Sequence, residues 1–239
     1  MENAIVIKNL TKKYKNDRGV FDLNLTVEKG EIFGFLGPNG AGKTTAMKVM
    51  TGLSHADNGD VFLNGFSVRD DYEKATEKLG SIIETVTPYG YLTAMENMKM
   101  YARFYEGADE KRLEECLNLT GILKFKDEKV KNFSLGMKQR MGLALALVSN
   151  PEILILDEPL NGLDVEGMVE MRNLIVNLKN AYGTTFFISS HLIHDVELTC
   201  TKVGILYGGK LISTDTTENI LKKYSSLENY YLSEVGTNE

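Results

Sequence analysis

Short alternations of apolar and polar residues dominate the first part of the chain. Residues 4–7, 21–27 and 31–36 each read as a strand, and Glu28-Lys29-Gly30 supplies the turn between the second and third. In GDVFLNGFSV, Asn64-Gly65 stands between the apolar runs 61–63 and 66–68 and predicts a two-residue hairpin, because both residues accept positive φ. From about residue 93 to 148 the period becomes helical. Thr93 and Glu96 have the spacing of a capping box opening a helix that runs to about Tyr105, while Asp109 and Ser134 precede two more. After Pro151 the chain alternates again: ILIL is a buried strand, 165–182 a helix, 184–190 a strand and 192–198 a short helix. Strands alternating with helices predict a parallel sheet with crossover connections. The helical block between its two halves predicts an inserted subdomain.

Composition narrows this only a little. Of 239 residues, 43% are hydrophobic and 25% charged, the profile of a soluble globular chain large enough to fold without a staple. Cys116 and Cys200 lie far apart and share no motif with the three histidines, which excludes a disulfide framework or zinc site and fits a reducing compartment. The 33 acidic against 27 basic residues argue against a dedicated nucleic-acid binder, so no nucleic-acid partner is expected. No apolar stretch approaches the ~20 residues of a membrane span, and the first residues lack the apolar run of a signal peptide. The expected location is the cytosol unless a partner tethers the chain.

Chemistry enters at residues 37–45, GPNGAGKTT. Glycine, four residues, glycine, lysine and a hydroxyl residue, set between an apolar strand and a helix, form a phosphate-binding loop. Gly37, Gly40 and Gly42 let the backbone wrap a phosphate, and Pro38, Asn39, Ala41 and Thr45 complete the cradle of inward-pointing amides. The following helix adds its N-terminal partial charge. Lys43 brings a full positive charge to the β- and γ-phosphates, and the Thr44 hydroxyl can ligate Mg²⁺, so ATP with Mg²⁺ is the expected cofactor. ILILDEP then delivers two carboxylates to the carboxyl end of a buried strand, where open α/β sheets bind their ligands. Asp157 is placed to hold Mg²⁺ through water, and Glu158 to orient or deprotonate an attacking water.

With NFSLGMKQR (132–140), ILILDEP, LNGLD (160–164) and SSH ending at His191 following that loop in order, the chain resembles the ATP-binding subunit of an ABC transporter over nearly its whole length. The resemblance implies an α/β P-loop NTPase core with a mostly parallel sheet, an N-terminal antiparallel β subdomain and an inserted α-helical subdomain. It implies one domain over 1–239: core 1–85 and 150–215, helical subdomain 86–149, tail 216–239. It also implies that the helix N-terminus at Ser134 and Gly136 binds the γ-phosphate of a partner subunit in a head-to-tail dimer, homo- or heteromeric. Its familiar signature is altered here by Phe133, Leu135 and Met137, and an ordinary capped helix is the alternative reading of Ser134. His191 would contact the γ-phosphate, Asp164 would touch the partner subunit, and Tyr14 would stack on adenine or else simply pack at a strand end. His55 and His194 read as surface or packing residues.

Most of that family carries glutamine where this chain has Glu84, which is expected to ligate Mg²⁺ alongside Thr44 and Asp157. Glu84, the altered signature and SSHLIHDVE resemble a bacterial branch that exports bacitracin, lantibiotics, related peptides or other hydrophobic compounds through separate membrane permease subunits. That expectation sets the chain at the cytoplasmic face of the cell membrane. Tyr89, Tyr91, Met95, Met98, Tyr101, Phe104 and Tyr105 are either packing of the helical subdomain or a groove for a cytoplasmic helix of the permease. The rival functional reading is a soluble ABC-type ATPase acting on ribosomes or DNA. The tail after Asp215 carries no legible chemistry.

Overall fold

The computed structural model describes residues 2–15, 18–85 and 88–237, so the expected start of the helical subdomain at 86 and the last two residues of the tail lie outside the described residues. Strands β1 (Asn3–Lys13) and β2 (Gly19–Glu28) precede β3 (Ile32–Leu36) and helix α1 (Lys43–Met50). The hairpin β4 (Asn58–Leu63) and β5 (Phe66–Ser67) follows, then α2 (Tyr72–Thr76) and β6 (Leu79–Ile82). A helical block holds α3 (Ala94–Ala102), α4 (Glu110–Leu119) and α5 (Leu135–Ala146). The chain re-enters the sheet at β7 (Ile153–Asp157), crosses by α6 (Val165–Tyr182) to β8 (Thr185–Ser190), and continues through α7 (Ile193–Thr199) to β9 (Lys202–Tyr207) and β10 (Lys210–Thr216). Two helices, α8 (Thr217–Lys223) and α9 (Leu227–Gly236), end the described chain.

These strands form an antiparallel sheet in the order β2-β1-β4-β5 and a larger sheet in the order β10-β9-β3-β8-β7-β6. In the larger one all neighbours run parallel except β10, an antiparallel edge strand. The sheets meet where the Phe21 amide donates to the Gly209 carbonyl at 2.8 Å.

Why the central strands are buried on both faces follows from their period of two. Ile32 and Leu36 of β3, Leu154 and Leu156 of β7, and Phe186 and Ile188 of β8 point into a core shared with α3–α7 and the tail. Phe33 and Phe35, Ile153 and Ile155, and Phe187 point the other way, into a core closed by α1 and the antiparallel sheet. Such strands read as continuous apolar runs. Phe187 is the keystone of the second core, stacked on Phe33 at 5.3 Å between centroids and tilted against Phe35 at 5.2 Å. On the first side α7 comes so close that a β-carbon added to Gly34 would lie 2.6 Å from a Val196 methyl.

Local signals account for the predicted elements. Asn64 and Gly65 adopt φ of 48° and 85°, as a hairpin turn of this length demands. Thr93 and Glu96 make the reciprocal capping box, and the helix ends at Ala102, slightly short of Tyr105. Elements that sequence reading did not find are β6, α2, β9, β10 and both tail helices. The four residues of β6 include Gly80 and Ser81, too short and mixed to show a period. The tail packs on α7: Leu227 and Tyr230 are buried, and the Leu227 amide donates to the Glu197 carboxylate at 2.6 Å. Cys116 and Cys200 are free and buried, and burial pushes their thiols up to about 11 and about 12, which keeps them protonated.

Truncating the keystone tests this packing. Phe187→Ala is expected to cost about 3–5 kcal/mol by loss of contacts and creation of a cavity. The measurement is a lower urea midpoint with an unchanged denaturant slope.

Candidate functional site

The site assembles at the carboxyl ends of β3, β7 and β8, which lie side by side in the parallel sheet. From β3 the chain turns at Gly37, where an added β-carbon would sit 2.3 Å from the Leu206 carbonyl oxygen of β9. Pro38, Asn39 and Gly40 are exposed at the crest of the loop, and Ala41 is buried beneath it. Gly42 has φ of 109°, and a β-carbon there would meet the Gly19 carbonyl at 2.6 Å. Only glycine fits that conformation and that space. Gly42 occupies the N-cap of α1 without a side-chain cap, whereas Thr93, Asp109, Ser134 and Asp164 cap α3, α4, α5 and α6 with their own oxygens. The first amides of α1, including those of Thr44 and Thr45, are therefore directed at whatever anion the loop holds.

Lys43 is only 6% exposed, and its ammonium donates to the Gly37 carbonyl at 2.7 Å and lies 3.4 Å from the Glu158 carboxylate. The Thr44 hydroxyl donates to Asp157 Oδ2 at 2.8 Å. Asp157 Oδ1 accepts from the Ser189 hydroxyl at 2.5 Å. Glu158, in the left-handed region at φ of 49°, turns its side chain back so that Oε2 lies 2.8 Å from His191 Nδ1. Its backbone amide donates to Ser189 Oγ at 2.9 Å. One cluster thus contains an ammonium, two carboxylates, an imidazole and two hydroxyls, the donor and acceptor set for holding phosphate oxygens and steering a water.

Of the residues singled out in the sequence, the structure brings together Lys43, Thr44, Asp157, Glu158 and His191. Glu84 follows the end of β6. At φ of 63° it turns its carboxylate to the Lys48 ammonium, 2.6 Å away, and that hydrogen bond raises the Lys48 pKa above its ordinary value. It does share a cavity of about 380 Å³ with Asp157, Glu158 and the α5 residues Leu135, Lys138 and Gln139. Tyr14 is half-exposed at the end of β1, with the Lys12 ammonium 5.6 Å from its ring. Ser134 caps its own helix by accepting from the Met137 amide at 3.2 Å, and Asp164 caps α6 by accepting from Gly167 at 3.0 Å. His55 and His194 are exposed.

Two features were missed by sequence reasoning. Ser189 faces Asp157 because β7 and β8 pair in a register that sets those two residues opposite each other, and no local signal carries that register. Leu135, one of the three departures in the signature, lies against Gly162 of the 160–164 loop: a β-carbon there would lie 3.0 Å from its methyl. Beside it, Gln139 donates to the Asn161 carbonyl at 3.0 Å.

The ABC transporter family profile matches residues 20–161. The bacitracin transport ATP-binding protein BcrA of Enterococcus faecalis is 41% identical over 223 residues, 93% of this chain and 72% of that protein. The lantibiotic transport ATP-binding protein SrtF of Streptococcus pyogenes is 39% identical, over 92% of this chain and 95% of its own. Among solved structures, a dimeric ATP-binding cassette in a post-hydrolysis state, bound to ADP and Pi, has a TM-score of 0.79 at 27% identity and covers 89% of this chain and 98% of its own. The chain belongs to the ABC transporter family, as one of its ATP-binding and ATP-hydrolysing subunits.

Forcing a side chain into the loop tests its geometry. Gly42→Ala introduces strain of about 1–3 kcal/mol at a positive φ, in addition to the clash with Gly19. ATP affinity, read by titration with a fluorescent analogue, is expected to fall at least ~10-fold.

Proposed function

We propose that this subunit drives export of an antimicrobial peptide or other hydrophobic compound through separate membrane permease subunits, from the cytoplasmic face of the membrane. The relatives named for bacitracin and lantibiotic transport support that choice of cargo class. Among the described residues no helix is long and apolar enough to cross a membrane.

Two copies bind head to tail. ATP lies between residues 37–45 of one copy and the α5 N-terminus, Ser134 and Gly136, of the other, with Tyr14 against the adenine. The Thr44 hydroxyl and Asp157 carboxylate, hydrogen-bonded side by side, are hard oxygen donors suited to Mg²⁺. When bound there, that ion supplies charge neutralisation for the phosphates. Lys43 binds the β- and γ-phosphates, Glu158 takes the proton of the attacking water, and His191 fixes the Glu158 carboxylate and reaches the γ-phosphate. Glu84 joins the metal side only by leaving Lys48. The single observation that carries this assignment is Glu158 held between His191 and Lys43, beside the Thr44–Asp157 pair.

The aromatic segment divides between packing and surface. Met95 and Met98 are core residues, whereas Phe104 is 80% exposed and Tyr101 partly so. Phe104 and Tyr105 line a broad cleft between α2 and the helical block, with Tyr72, Arg112 and Tyr182. Burial pushes the Tyr105 phenol up to about 12, so it stays neutral there. This cleft, of about 1260 Å³, is the proposed seat of a cytoplasmic helix of the permease.

Glu158→Gln is expected to retain ATP binding, form an ATP-dependent dimer on size-exclusion chromatography and lose turnover by ~10²-fold or more. Full ATPase activity in that variant would remove Glu158 from the role of base. Phe104→Glu, assayed with the membrane subunit, is expected to keep ATP binding and basal hydrolysis while losing transport; intact transport would put the docking surface elsewhere.

A further inference from the structure

We infer that Ser189 is a positioning residue for hydrolysis, one that holds both acidic residues at the tip of β7 in their working geometry. Its hydroxyl is fully buried, at 0% exposure, and sits between two neighbours in sequence that need opposite things. To Asp157 it donates a short hydrogen bond, 2.5 Å to Oδ1. From Glu158 it accepts the backbone N–H at 2.9 Å. A hydroxyl is the smallest side-chain group that can donate and accept at once. Alanine at this position can do neither.

Each bond constrains something the reaction uses. Asp157 has one oxygen on Ser189 and the other on Thr44, so its carboxylate plane is pinned from both ends, by β8 and by the phosphate-loop helix. Glu158 leaves the strand through a left-handed conformation that is unfavourable for a non-glycine residue. Its amide has left the strand ladder and bonds Ser189 instead. The turn is what swings the Glu158 side chain back over Lys43 and His191. Without the hydroxyl, the amide loses its partner and the turn loses its lock. The carboxylate is then free to drift from His191 while the phosphate loop remains whole. The hydrogen bonds of the Ser189 hydroxyl run to Asp157 and Glu158, and those of Lys43 to the Gly37 carbonyl and Glu158, so the loss falls on turnover and on the Asp157 side, and ATP binding by the loop is spared.

Ser189→Ala in the full chain tests this. Supporting partners of this kind are typically worth ~10–100-fold, so kcat is expected to fall by that factor with KM for ATP within ~3-fold. Binding of a fluorescent ATP analogue should persist, with a higher Mg²⁺ concentration needed for half-maximal binding. Ser189→Thr restores the hydroxyl and is expected to recover at least about a third of parental kcat. In the background of Glu158→Gln the alanine substitution should add little further loss of kcat, because the Glu158 share of its effect is already gone, while the raised Mg²⁺ requirement that acts through Asp157 should persist. The inference is overturned if Ser189→Ala keeps kcat within about two-fold, if it loses nucleotide binding and turnover together, or if Ser189→Thr is as slow as the alanine variant while still binding ATP. Ser189→Cys, a poor donor of similar size, replaces the alanine variant if that protein is not recovered folded. A normal Ser189→Ala beside an inactive Glu158→Gln would reject only the positioning role; an active Glu158→Gln would reject the base itself.

Discussion

Everything in this molecule depends on a parallel sheet whose central strands are apolar on both faces. A strand such as Ile153–Asp157 has no polar side to offer water, so both faces must be covered, by helices on one side and by α1 and the antiparallel sheet on the other. Polar chemistry is then confined to the strand ends. At the carboxyl ends of β3, β7 and β8 it converges within a few ångströms, because parallel pairing aligns those ends. The sheet sets where a reaction can occur before any catalytic residue is specified.

Legibility in the sequence followed the range of the forces involved. Signals written in consecutive residues were readable: the phosphate loop, the Asn64-Gly65 hairpin, the Thr93–Glu96 capping box, and the 165–182 helix. Lys43, Thr44, Asp157 and Glu158 could be singled out because each sits at the end of a recognisable element, and His191 through the family resemblance. What the sequence hid was register and long-range packing. Ser189 is an unremarkable serine until β8 is laid beside β7. The tail seemed empty of meaning because its function is contact, with Leu227 and Tyr230 buried and Glu197 of α7 bonded to the Leu227 amide.

Glu84 illustrates the same divide. Its position at the exit of β6 was legible from the motif order, but its partner was not. A carboxylate at that point adds charge near Asp157 and Glu158, and Lys48, one α-helical turn beyond Thr44, answers it with an ion pair. Both side chains are substantially exposed, so the pair contributes little to folding. Its weight lies in where it directs the Glu84 side chain.

The Leu135 signature variant and the loop beneath it create a short backbone circuit. The Asn161 amide donates to the Glu158 carbonyl at 3.1 Å, and the Asn161 carbonyl accepts from Gln139 of α5. Three residues thus connect the turn that aims Glu158 to the helix that presents Ser134 outward, and Leu135 lies over Gly162 at the middle of the span. In the proposed head-to-tail dimer, this circuit joins the turn beside one nucleotide to the helix end that faces the other.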